Sequence, residues 1–206
     1  MVIRIYVEGG ADNKALDSKC RKAFSEFIEK AGFAGKMPSI SPCGSRNEAL
    51  SDFKTALSNK EPDEYPILLV DSEAPIADTE KPWVFLKKRD NWKKPRGAED
   101  ENTHFMVQCM ESWFFADKAA LKKYYGKDFK DKALSKQKNI EVISKKDVAG
   151  GLKKATKDTQ KGEYDKGAHS FGILELIDPE KVKKASPYAA RFFEVLELKT
   201  VLQSKA

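Results

Sequence analysis

Between Tyr65 and Val70 the chain runs apolar without a break, Tyr-Pro-Ile-Leu-Leu-Val, and then stops at Asp71-Ser72-Glu73. So short a run, with polar residues at its end and no alternation, fits a strand buried on both faces at the centre of a parallel sheet. A sheet of that kind needs helices on its faces, and the rest of the sequence supplies them.

Val2 to Val7 is a β-branched run that ends at Glu8-Gly9-Gly10, and Leu16, Cys20, Phe24, Phe27 and Ile28 then recur at helical spacing until Gly32. A short strand fits Ser39 to Pro42. Gly44-Ser45-Arg46-Asn47-Glu48 opens a second helix carrying Leu50, Phe53 and Leu57 on one stripe, and Ser45 and Glu48 have capping-box spacing. A fourth strand fits His104 to Cys109, and Asp117 is placed to cap a helix that ends at Gly126. Strands alternating with helices across short polar turns predict right-handed crossovers. The expected fold is α/β, a Rossmann-like, mainly parallel four-stranded sheet with flanking helices and a C-terminal helical annex.

Residues 1–117 form the expected α/β domain, with 74–102 read as a long basic loop on the sheet's carboxyl edge, since loops of that length are usually functional. From about 118 to 206 the chain is lysine-rich and strand-poor. Helix starts are signalled there at Ser144-x-x-Asp147, Asp178-Pro179 and Ser186-Pro187, and Phe192, Phe193, Leu196 and Val201 stripe the last helix.

The chain has 206 residues, of which 40% are hydrophobic, enough for a real core and against global disorder. Its net charge of +6 favours a polyanionic partner such as nucleic acid. Three widely spaced cysteines, without a Cys-x-x-Cys pair, and two distant histidines argue against a disulfide framework or structural zinc. No signal-like segment and no run of 18 apolar residues is visible, so the expectation is a soluble cytoplasmic protein without membrane contact.

In open α/β sheets, ligands bind beyond the carboxyl ends of the strands. Glu8 ends the first strand there, and Asp71 and Glu73 end the third, on the same side of an extended segment. Three carboxylates could converge on a divalent cation, with Mg²⁺ or Mn²⁺ the fitting ions and a phosphodiester the fitting substrate. The alternative is that Glu8 caps the following helix and the other two merely end a strand.

Val7-Glu8-Gly9-Gly10 and Val70-Asp71-Ser72-Glu73 resemble the Toprim domain, the catalytic module of topoisomerases, primases and the overcoming-lysogenization-defect nucleases. More narrowly, Gly44-Ser45-Arg46, Val70 to Glu73 and Met106 to Asp117 resemble the bacterial family called domain of unknown function 4276. The Toprim resemblance implies Glu8 as general base and metal ligand, Asp71 and Glu73 as metal ligands, and Mg²⁺-dependent cleavage of DNA or RNA. Glu73 departs from that pattern, being one methylene longer than the usual aspartate. Relatives of this kind are often encoded beside an ABC-type or AAA-type ATPase and linked to phage defence, which implies an ATPase partner. The chain has no Gly-x-x-x-x-Gly-Lys-Ser/Thr of its own. A non-catalytic scaffold or nucleic-acid-binding subunit of an ATPase complex is the competing reading.

Glu111 lies in the stretch shared with the narrow family and is a further candidate metal ligand, because a carboxylate among apolar residues needs a partner. Ser45 and Arg46, at a strand-to-helix junction, are candidate phosphate contacts, though Ser45 reads first as a cap. Between 81 and 96 seven basic residues face one acid, interleaved with Trp83, Phe85 and Trp92. Lys88, Arg89, Trp92 and Lys93 are therefore candidate contacts to a strand, against a reading in which the tryptophans pack back onto the sheet. Lys166 could support a phosphate, and His169 reads as a hydrogen-bonded structural residue or a proton shuttle.

Overall fold

The apolar run forms β3 (Glu64–Asp71), in which every residue after Glu64 is buried. This computed structural model describes residues 2–10, 13–59, 61, 63–77 and 79–203. With β1 (Val2–Val7), β2 (Ser39–Pro42) and β4 (Thr103–Met106), β3 builds a four-stranded, all-parallel sheet of order β2-β1-β3-β4. The fourth strand is shorter than the sequence suggested, because residues past Met106 leave the ladder and enter a 3-10 segment, Met110–Ala116.

Side-chain alternation along β3 divides the core into two layers. Ile67 and Leu69 join Ile3, Ile5 and Val7 of β1 on one face, under α1 (Lys14–Ile28) and α8 (Pro187–Gln203). Leu68 and Val70 face the other way, against Phe53 of α2 (Arg46–Ser58) and Trp83, Phe85 and Leu86 of α3 (Pro82–Asp90). Fully burying a side chain of this size contributes about 1.5–3 kcal/mol. Phe27 of α1 stacks on Trp113 at 5.3 Å between ring centroids, tying the first face to the 3-10 segment.

Residues 74–102 are not the open loop expected. Pro82 starts α3, and Asn91, in the left-handed region at φ 57°, stops it. Trp83 is buried and its indole N–H donates to the Glu99 carbonyl at 3.2 Å, so this tryptophan anchors the segment.

Beyond 117 lie α4 (Lys118–Tyr125), α5 (Lys145–Thr156), α6 (Lys166–Leu174), α7 (Pro179–Ala185) and α8. Asp117 caps α4 through Ala120 N–H at 3.2 Å, and also receives Asp178 N–H and the Lys181 ammonium. The first core layer runs without interruption from β1 through Trp113 and Phe114 to Leu174, Val182 and Phe193, so the later helices share the sheet's core. Among the described residues, no helix is long and apolar enough to cross a membrane.

His104 opens a pH-dependent weakness in this core. It is buried in β4, its Nε2–H donates to the Glu101 carbonyl at 2.9 Å, and its ring meets Phe192 edge-on. Burial pushes its pKa down to about 4. The unfolded chain, with a histidine near 6.5, takes up a proton that the folded chain refuses, so stability present above pH 6.5 is lost as pH falls toward 4. Roughly 3 kcal/mol is at stake. Urea midpoints measured across that window should fall, and His104→Leu should flatten the fall; an equal slope in the variant would assign it elsewhere.

Candidate metal centre

β1 and β3 are neighbours in register, Val7 opposite Leu69, so the residues just past their carboxyl ends meet. Glu8 follows β1 and its N–H donates to the Leu69 carbonyl at 2.9 Å. Its Oε2 in turn receives the Asp71 N–H at 2.9 Å. Glu73 turns back toward them with φ 63°, a left-handed conformation that is uncommon for a residue with a long side chain. Strain of this sort concentrates where a side chain must be aimed. One oxygen from each of Glu8, Asp71 and Glu73 lies within 4.8 Å of the others, a group that could hold a metal ion.

The loop beneath them depends on two glycines. Gly9 and Gly44 exchange backbone hydrogen bonds of 2.9 and 2.8 Å, at φ 139° and 73°. A side chain at Gly44 would also come within 2.8 Å of Glu48. This bridge holds the turn after β1 against the start of α2, and with Met110, Phe171 and Lys166 it walls a cleft of about 200 Å³ that has Glu8 and Asp71 in its lining.

Asp71 is 1% exposed, and burial, followed by the charge of Glu8, pushes its pKa well above the ordinary carboxylate value. Glu8 is raised as well, chiefly by burial. One Asp71 oxygen receives Met110 N–H at 2.8 Å, and the other lies 3.8 Å from the Lys166 ammonium. Lys166 also reaches Glu111 at 3.4 Å; burial opposes its charge, but Asp71, Glu111 and Glu8 together raise its pKa. Lys145 pairs with Glu73, and Tyr164 donates to Glu111 at 3.1 Å. Four carboxylates are thus set against two lysines, while Arg46 divides its charge between Glu8, at 3.7 Å, and Asp90. Negative charge is in excess around a buried aspartate, an arrangement a divalent cation would relieve.

The profile of the family described as "Domain of unknown function (DUF4276)" matches residues 7–197. The chain belongs to the DUF4276 family. Searches of the curated proteins and of the solved structures each returned no match. In this DUF4276 protein the match spans the acidic trio and the helices that bring Lys145 and Lys166 to it.

The other candidates fall in different places. Ser45 is a cap: its hydroxyl and N–H both contact the Glu48 carboxylate, at 2.7 and 2.8 Å. Arg46 is not an open phosphate contact, because its guanidinium grips Asp90 with two bonds of 3.1 Å and lies over the Trp92 ring at 4.8 Å. Trp92, half-buried, is the platform for that arginine. Lys88, Arg89 and Lys93 are exposed, Arg89 beside Asp90, so the basic surface adjoins the acidic trio through Arg46. Glu111 stands outside the trio, held by Tyr164 and Lys166.

His169 sits among tyrosines, its Nδ1 accepting from the Tyr125 hydroxyl and from Asp165 N–H, both at 3.1 Å. Cys20 and Cys109 are buried, with thiols pushed up to about 12 by burial, which makes neither a nucleophile at neutral pH. Lys145 and Tyr164 carry no local sequence signal and were missed. They reach the site from the far side of a long chain excursion.

Proposed function

We propose that this protein is a metal-dependent nuclease, hydrolysing phosphodiester bonds of DNA or RNA with Mg²⁺ or Mn²⁺ held by Glu8, Asp71 and Glu73. The observation that carries the reading is the convergence of the three carboxylates of Glu8, Asp71 and Glu73 at the sheet's carboxyl edge. An all-oxygen donor set suits these hard cations. When bound, such an ion polarises a phosphate and lowers the pKa of water. Glu8 keeps one oxygen engaged by Asp71 N–H, which leaves the second to accept a proton from the attacking water. Lys166, beside Asp71, is placed to offset charge gathering on the phosphate oxygens. The basic residues of α3 and the segment after it supply a landing surface for the strand.

The test is cleavage of labelled single-stranded, duplex and structured DNA and RNA with Mg²⁺ or Mn²⁺, alone and with an ABC-type or AAA-type ATPase encoded beside this protein, the partner this reading assigns in phage defence. Wild type should cut, and Glu8→Ala and Asp71→Ala should not. A folded protein that binds metal and cuts nothing under any of these conditions would remove the nuclease reading. The second reading, a non-catalytic nucleic-acid-binding subunit, draws on the Lys145–Glu73 and Lys166–Asp71 pairs, which already set the chain's own cations against the carboxylates. It expects nucleic-acid affinity with no heat of Mg²⁺ binding in calorimetry.

A further inference from the structure

A second cleft, of about 270 Å³, lies on the other side of Lys166. Lys145, Lys153 and Lys166 stand around it, and Val148, Ala149 and the Tyr164 ring form an apolar wall. Its two carboxylates are already engaged. Asp165 caps α6, accepting Ala168 N–H at 2.8 Å, and Glu111 is held by Tyr164 at 3.1 Å and Lys166 at 3.4 Å.

Each lysine is already paired, Lys145 with Glu73, Lys153 with Glu163 and Lys166 with Asp71 and Glu111, yet each stays partly open to solvent. The side chains of Lys145, Lys153 and Lys166 are 43%, 56% and 60% exposed. Lys153 pairs with Glu163, itself half exposed, at 3.2 Å, a pairing that water and salt largely cancel. α5 begins at this cleft, at Lys145, and its amino end adds to the positive field, while the amino end of α6 is offset by the Asp165 carboxylate that caps it. Cations on one side and an apolar wall on the other are what a nucleotide needs: charge for its phosphate, a dry surface for sugar or base.

We propose that this cleft receives the phosphorylated end of a nucleic-acid strand, the terminal phosphomonoester lying among Lys145, Lys153 and Lys166. The inference rests on the nuclease reading and gives it a direction. A cleft of this volume takes one nucleotide and not two, and a monoester carries a second negative charge that an internal phosphodiester lacks. Lys145 and Lys166 each touch the acidic trio as well, through Glu73 and Asp71, so a strand end seated here lies next to the carboxylates. Cleavage is then end-directed, releasing short products.

Calorimetric titration in EDTA tests this without any cleavage and without a metal for phosphate to bind. The probes are unlabelled tetranucleotides bearing a 5′-phosphate, a 3′-phosphate or neither, and adenosine 5′-monophosphate. One phosphorylated strand should bind at least about fivefold tighter than the unphosphorylated one. Lys153→Glu and Ala149→Trp, both at exposed positions on the cleft, should each erase that preference while circular dichroism and melting stay unchanged. Equal affinities, or a preference that survives both variants, would overturn the assignment; so would adenosine monophosphate binding as tightly as the phosphorylated strand, which marks a free-nucleotide site. A retained preference in a protein that never cuts would remove the nuclease reading and leave this site standing.

Discussion

Asp71→Asn is expected to abolish metal-dependent cleavage and, at the same time, to raise the melting temperature of the metal-free protein. The loss in rate should be roughly a thousandfold, the equivalent of about 4 kcal/mol of transition-state stabilisation. The gain in stability has a separate cause. Asp71 is almost wholly buried beside Glu8, and its ionised form is disfavoured there. Asparagine keeps the acceptor for Met110 N–H and removes the charge, a gain of about 1 kcal/mol.

The sign of the pH dependence follows. Because the folded pKa is raised, the native state holds a proton that the unfolded state has released, so this contribution weakens as pH rises from near 4 through the elevated value. The advantage of Asp71→Asn should accordingly be largest at neutral pH and shrink toward pH 4, opposite in sense to the effect of His104. Added Mg²⁺ should stabilise wild type, by about 2.7 kcal/mol at a hundred times its dissociation constant, and leave the variant unmoved. Melting curves in EDTA and in Mg²⁺ at several pH values measure all of this. A variant that melts lower than wild type in EDTA would make Asp71 a structural counter-ion instead.

Arg46→Ala is expected to cost about 2–3 kcal/mol, and Arg46→Lys to recover little of it. The guanidinium is 13% exposed and makes a two-point contact with Asp90, itself 15% exposed, while lying over Trp92 and close to Glu8. Lysine has one point charge and no planar face, so it can match neither the fork nor the stack. Arg89 retains some hold on Asp90, which keeps the cost below that of a fully buried pair. Hydrogen exchange should show the amides of α3 opening more readily in both variants. A double-mutant cycle with Asp90→Asn gives the coupling, and a value under about 0.5 kcal/mol would show that α3 is held by its apolar face alone.

The strands and the acidic trio were legible because both depend on local pattern. Apolar runs ending at Glu8 and Asp71 mark strand ends, and parallel neighbours put those ends together whatever the rest of the chain does. α3 was hidden by its own composition: Lys87, Lys88 and Arg89 mask the buried Trp83, Phe85 and Leu86, and the helix has only nine residues in which to show a period. Arg46 could be placed at a helix start but not paired, since Asp90 is distant in sequence and only α3 brings it close. The same holds for Lys145, Tyr164 and Glu111, whose meeting is a product of tertiary packing. Propensity and spacing say nothing about which lysine of a lysine-rich segment turns inward.

The wall that α6 contributes to the first cleft has a consequence for the order in which the protein is made. A ribosome releases Glu8, Asp71 and Glu111 well before it has polymerised Lys166, so the sheet half emerges into solvent without the ammonium that faces two of those carboxylates and with one side of the cleft missing. Until α6 clears the exit tunnel and docks, the nascent polypeptide holds its acidic residues in an open, hydrated edge. Whatever this pocket acts on, it becomes a pocket only after α6 has been made and has docked.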